Sequence, residues 1–95
     1  MKQEIIEDYL LEVGILPHLK GFGYLVEAVQ TYKPGMAFFM ELYPAIAKTY
    51  GSTTSKVERC IRTAIYKSGN KIPTSQYIAY AAIKCKRKQK EEVSQ

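Results

Sequence analysis

The residues best suited to chemistry lie in one short segment, GSTTSKVERCIRTAIYK, which spans residues 51–67. Apolar side chains recur in it at spacings of three, one, three and one, which is the stripe of an amphipathic helix. These side chains are Val57, Cys60, Ile61, Ala64 and Ile65. The charged side chains fall between them and must point away from whatever surface buries the stripe. The segment therefore predicts a helix with a basic outer face.

That outer face carries groups that can recognise the edges of nucleic acid bases. At about 100° per residue, the side opposite the stripe holds Ser55, Arg59, Arg62 and Tyr66. Arginine can donate two hydrogen bonds to guanine, and a glutamate such as Glu58 can accept one from cytosine. Arg59 and Arg62 are one turn apart and can reach neighbouring base pairs. The alternatives are an ordinary solvated helix surface and, for Glu58, a capping box with Ser55 at the helix start.

Charge is distributed unevenly along the 95 residues. Residues 1–50 carry four Lys and six Asp or Glu, a net charge of −2, whereas residues 51–95 carry ten Lys or Arg and three Glu, a net charge of +7. This asymmetry predicts a polyanionic partner, nucleic acid first and an anionic membrane surface second, with a solvated basic surface as the alternative. A second basic cluster could contact phosphates, although a solvated charge run is the simpler interpretation; it comprises Lys84, Lys86, Arg87, Lys88 and Lys90.

No reactive constellation is evident, so the sequence does not indicate an enzyme. His18 is the only histidine, and no cofactor or metal motif such as HExxH or CxxC accompanies it. Cys60 and Cys85 occupy apolar positions of helical patterns and are predicted to be buried free thiols in a reducing cytoplasm. Gly21 and Gly23 lack the strand and third glycine of a dinucleotide site, and are predicted to permit close packing or a helix start. No apolar run approaches the ~18 residues of a membrane span.

Helical periodicity runs through the chain, and no segment shows the period-two alternation of a strand. Helices are predicted over about residues 3–13, 20–31, 36–50, 55–67 and 75–87, separated by turns that contain glycine or proline. Pro44 should either bend the third helix or open a shorter one near Leu42. The expectation is an all-α chain of five or six helices, with a helix-turn-helix between about residues 42 and 67. Residues 1–88 are expected to form one domain, and residues 89–95 a charged tail that frays.

Three segments, in order along the chain, carry recognisable motifs. ELYPAIAKTYGSTTSKVERCIRTAI (residues 41–65) is close to LYPxIAxxYxTTxSRVERAIRHAI, HLKGFGYLVEAV (residues 18–29) to HIKGYxYLRxAI, and PTSQYIA (residues 73–79) to PTNSEFIA. These patterns are those of the C-terminal effector domain of stage zero sporulation protein A, a response regulator that commits endospore-forming bacteria to sporulation. The chain resembles that family over about residues 5–83.

The resemblance implies a compact bundle of about six helices that holds a helix-turn-helix and regulates transcription from a double-stranded DNA box of the TGTCGAA type. By motif match, the base contacts would be Glu58, Arg59 and Arg62. The phosphate contacts would be Ser55, Lys56, Thr54, His18, Lys20 and Lys67. The resemblance also implies a homodimer on tandem sites, the sigma subunit of RNA polymerase as a partner, and a nucleoid-associated place in the cytoplasm.

The chain departs from the family pattern at several positions. Lys56 replaces an arginine, which keeps the charge but loses bidentate geometry. Thr63 replaces a histidine, which makes an altered box plausible, and Cys60 replaces an alanine. The 95 residues hold no phosphoacceptor receiver domain, as expected of either an excised domain or a free-standing effector. Two other functions stay open: a non-specific, architectural DNA binder, and an interaction module that docks on RNA polymerase or a full-length regulator.

Overall fold

Five α-helices make up most of the computed structural model, which describes residues 2–93. They are α1, Gln3–Glu12; α2, Lys20–Thr31; α3, Tyr43–Tyr50; α4, Thr54–Lys67; and α5, Thr74–Val93. A π-helical turn, Phe38–Leu42, directly precedes α3. The described residues form no strand, and none of their helices has the length and apolarity to cross a membrane. The all-α class is confirmed, but the bundle of about six helices consists of five α-helices and one π-helical turn.

Pro44 divides the apolar segment that precedes α4. It lies in the first turn of α3, where its missing N–H removes no helical hydrogen bond. Just before it, the backbone N–H of Leu42 donates to the Ala37 carbonyl at 3.0 Å, a bond that spans five residues. Phe39 and Met40 are exposed in this turn, by 60% and 83%. Of the two predicted alternatives, a shorter helix that opens near Leu42 is confirmed, and the residues just before it lie outside α3.

The last helix, α5, is longer than predicted. It continues to Val93, six residues past the expected end at Arg87. Residues 89–93 of the expected frayed tail are therefore helical, and residues 94–95 lie outside the described part of the chain. Two contacts with the first helix region hold this end of α5: Lys88 Nζ donates to Glu12 Oε2 at 3.0 Å, and the Lys2 backbone N–H donates to Gln89 Oε1 at 3.0 Å.

One apolar core joins the five helices. The predicted stripe of α4 is buried in it at Val57, Ile61, Ala64 and Ile65. Cys85 is fully buried, as predicted, and burial raises the pKa of its thiol to about 11. Cys60 lies at the edge of the stripe and is only half-buried, and both thiols are free. The largest fully buried side chains include Tyr43, Ile6, Leu10, Ile15, Leu25, Leu42, Ile46, Ile61 and Ile78.

The contact between α2 and α4 depends on a glycine. A Cβ atom at Gly21 would lie 2.3 Å from the Cys60 carbonyl oxygen and 2.7 Å from the Ala64 Cβ. Any side chain at position 21 would therefore hold the two helices apart. At Gly23, in the same helix, a Cβ would meet only the Tyr50 hydroxyl, at 4.0 Å. The predicted role in close packing is confirmed for Gly21, and it sets the start of α2 against the middle of α4.

Candidate nucleic-acid interface

A short turn sets the beginning of α4. After α3 ends, Gly51 adopts a left-handed φ of 62°, which a side chain rarely permits. Thr53 is then the N-cap of α4, because its Oγ1 accepts a hydrogen bond from the backbone N–H of Lys56 at 3.2 Å. Ser55 lies inside the first turn and is exposed. The predicted capping box between Ser55 and Glu58 is therefore wrong, since neither residue caps the helix.

The face of α4 opposite the core carries the predicted basic residues. Arg59 and Arg62 are exposed and one turn apart, and the Arg62 side chain is 59% exposed. Lys56 and Lys67 are also exposed, near opposite ends of the helix and about 16 Å apart along its axis. Thr54 is the first residue of α4 and is half-buried. The helix thus presents two central arginines between two lysines.

The start of α2 adds a further cation to this face. Because Gly21 lets α2 lie against α4, Lys20 and Arg59 line one open groove of about 290 Å³. Its other lining residues are Leu19, Gly21, Cys60 and Thr63. His18 is exposed in the loop just before α2. The fold therefore brings together two predicted contact residues that are far apart in the sequence.

Glu58 is the least accessible of the predicted base-contacting residues, with a side chain that is 14% exposed. Its Oε1 lies 3.2 Å from Arg62 Nη1, and its Oε2 accepts a hydrogen bond from Thr74 Oγ1 at 3.2 Å. Burial raises the pKa of the Tyr43 hydroxyl to about 12, and the negative charge of Glu58 adds to that shift. In this structure the Glu58 carboxylate pairs with Arg62, and its contact with a base stays a prediction.

The second basic cluster, at the end of α5, is partly engaged within the chain. Lys88 pairs with Glu12 of α1, and that hydrogen bond raises the pKa of Lys88. Lys84 Nζ lies 5.5 Å from the centre of the Tyr80 ring, within the range of a cation–π interaction. Lys86 and Arg87 are exposed. The contribution of this cluster to phosphate binding is untested by the geometry and stays a prediction.

Thr74 is the residue near the interface that the sequence did not reveal. It opens α5, and its bond to Glu58 joins two helices across sixteen residues of chain. No local pattern predicts such a contact, because helical periodicity relates only residues three or four apart. Thr53, by contrast, is one of four consecutive Ser or Thr residues, 52–55, which are residue types that commonly cap helices. Among the described residues, no group of three or more His, Cys, Asp or Glu is arranged to hold a metal ion.

Comparison with protein families agrees with the motifs. Residues 6–94 match the family model described as "Sporulation initiation factor Spo0A C terminal". The match covers nearly the whole chain and includes α2, α4 and the start of α5, where the three motifs lie. The resemblance inferred from those motifs is therefore confirmed.

Proposed function

Because the chain belongs to the family of Spo0A C-terminal domains, which are DNA-binding effector domains and not enzymes, we propose that it reads a specific sequence in the major groove of double-stranded DNA. The observation that carries this proposal is the exposure of Arg59 and Arg62 on the outer face of α4, one turn apart and beside Lys20. Arginine on an exposed helix is the commonest means of reading guanine.

In the proposed complex, α3, the turn at Gly51 and α4 act as a helix-turn-helix. The second helix of such a motif enters the major groove, and the first crosses the DNA backbone. Arg59 and Arg62 then donate hydrogen bonds to guanine edges of a TGTCGAA-type box, which holds guanines on both strands. Glu58 is less accessible to a cytosine amino group, because its side chain is only 14% exposed and its two oxygens already contact Arg62 and Thr74. The two arginines therefore carry most of the proposed sequence discrimination.

Phosphate contacts are proposed to fix the orientation of α4 in the groove. The major groove of B-DNA is about 12 Å wide, and Lys56 and Lys67 lie about 16 Å apart along α4. The two lysines can thus reach phosphates on opposite sides of the groove. Lys20 extends the contacts beside Arg59. The remaining proposed phosphate contacts are Ser55, Thr54 and His18.

Fluorescence anisotropy with a TGTCGAA-type duplex and a scrambled duplex, over a series of salt concentrations, tests the proposal. Arg59→Ala should reduce discrimination between the duplexes by roughly 1–3 kcal/mol. Lys56→Ala should weaken both complexes alike and lower the salt slope by about 1. Lys33→Ala is the matched control, because it removes an exposed positive charge beyond the far end of α2, about 18 Å of helix from Lys20.

Three results would contradict the proposal. Equal losses on both duplexes for Arg59→Ala would remove this arginine from sequence readout. Equal, salt-sensitive binding of the unmodified protein to both duplexes would indicate an architectural binder or a changed box, which selection of sites from random DNA would separate. Binding to neither duplex would favour an interaction module for RNA polymerase or a full-length regulator.

A duplex with two tandem boxes, in the same titration, tests the homodimer by its stoichiometry, and a pull-down with the sigma subunit tests that partner.

A further inference from the structure

Thr74 stands out because, apart from the tyrosines and Cys85, it is the only buried residue with a polar side chain among the described residues, with 8% of its surface exposed. It lies at the first position of α5, and its Oγ1 donates to Glu58 Oε2 at 3.2 Å. A hydrogen bond to an ionised carboxylate is stronger than one between neutral groups, and more so where water is largely excluded. This hydrogen bond therefore ties the start of α5 to the middle of α4.

The same carboxylate also pairs with the exposed guanidinium of Arg62. Glu58 Oε1 lies 3.2 Å from Arg62 Nη1, and the Arg62 side chain is 59% exposed. The two oxygens of a carboxylate share one plane, so a bond that fixes Oε2 also fixes the direction of Oε1. The hydroxyl of Thr74, the carboxylate of Glu58 and the guanidinium of Arg62 thus form one chain of contacts from the core to the surface.

We propose that Thr74 is a positioning residue for sequence readout. It holds the Glu58 carboxylate in the orientation that directs Arg62 towards the bases. This inference rests on the proposed function, in which Arg62 contacts a base. A free arginine side chain samples many rotamers, and ordering it on binding costs free energy. Thr74, acting through Glu58, reduces that cost for the correct base without touching DNA itself.

Matched variants at the start of α5 separate this role from general stability. Thr74→Val keeps the shape of the side chain and removes the hydroxyl, whereas Thr74→Ser keeps the hydroxyl. Ser75→Ala changes the adjacent side chain in the same turn and serves as the control. Thr74→Ala gives the same test without a branched apolar group if the valine variant does not fold.

The measurement is anisotropy with duplexes that carry single substitutions at each position of the box, after Arg62→Ala has identified the base pair that Arg62 reads. A good bidentate contact discriminates between the correct and a wrong base pair roughly 5- to 150-fold. Thr74→Val should lower this discrimination about fivefold, and only at the base pair that Arg62 reads. Discrimination at the other positions and affinity for scrambled DNA should be unchanged. Thr74→Ser and Ser75→Ala should behave like the unmodified protein.

The order of the Arg62 side chain in the free protein gives a second readout. The ¹⁵N heteronuclear relaxation of Arg62 Nε–H should report greater motion in Thr74→Val than in Thr74→Ser. Unchanged discrimination at the Arg62 position in Thr74→Val, with a loss in Arg62→Ala, would overturn the inference alone. Unchanged discrimination at every position in Arg62→Ala would show that Arg62 is not a base reader, and the inference would fall with that part of the proposed function.

Discussion

Replacing Gly21 by alanine would place a methyl group inside the contact between α2 and α4. The added Cβ would lie 2.3 Å from the Cys60 carbonyl oxygen and 2.7 Å from the Ala64 Cβ. Neither atom can rotate away, so the two helices must separate. Overpacking of this kind costs about 1–3 kcal/mol and sometimes more, and the better helix propensity of alanine recovers about 1 kcal/mol. Since a backbone carbonyl is struck directly, we expect a net loss of about 2 kcal/mol in the free energy of unfolding.

Gly23→Ala is the matched control, because its Cβ would meet only the Tyr50 hydroxyl at 4.0 Å. This variant should gain about 0.5–1 kcal/mol from helix propensity. The two variants should therefore shift the unfolding midpoint in opposite directions, in heat and in urea alike. Tm should be lower by about 8–16 °C for Gly21→Ala and higher by about 2–8 °C for Gly23→Ala. Separation of the helices should also move Lys20 away from Arg59 and weaken DNA binding by Gly21→Ala. Equal Tm changes in the two variants would refute the account of this contact.

The helix cap, the two thiols and a buried tyrosine allow three further tests. Thr53→Ala should lower the free energy of unfolding, measured in urea, by about 0.5–2 kcal/mol. Ser55→Ala should change it by less than about 0.5 kcal/mol, and a larger loss for Ser55→Ala than for Thr53→Ala would identify Ser55 as the N-cap instead. A thiol reagent at pH 8 should modify Cys60 in the folded protein and Cys85 only after unfolding, because Cys85 is fully buried and its pKa is about 11; equal rates would contradict this. The stability should fall as the pH rises from 10.0 to about 12, because the unfolded state releases the Tyr43 proton first. Tyr43→Phe should flatten that decline in Tm, and an unchanged slope would exclude Tyr43 as its source.

The parts of the fold that depend on neighbouring residues were predictable from the sequence. The apolar spacing in α4 predicted both its buried stripe and its exposed arginines, because each turn of a helix repeats the same faces. Pro44 indicated either a bend in the third helix or the start of a shorter one, and the structure has the helix start. The position of Arg59 and Arg62 on the surface needed no knowledge of the rest of the chain.

Features that depend on distant residues were not predictable in this way. The last turns of α5 are polar, and they are held in part by contacts with α1, such as the bond from Lys88 to Glu12. The surroundings of Glu58 are set by Thr74, which no periodicity links to it. Sequence reasoning could weigh Glu58 only as a cap or a base contact. In the fold its carboxylate instead lies between the core and Arg62.

The position of α5 beside α1 has a consequence for how the protein folds during synthesis. The Lys2 backbone N–H donates to Gln89, and Lys88 donates to Glu12, so residues 87 and 76 positions apart in the chain lie together. A ribosome adds about 5–20 residues per second, and several seconds must separate the completion of α1 from that of α5. During this interval the part of the apolar face of α1 that α5 covers is exposed. Closure of the core therefore waits for α5, and this contact between the first and last helices should form late.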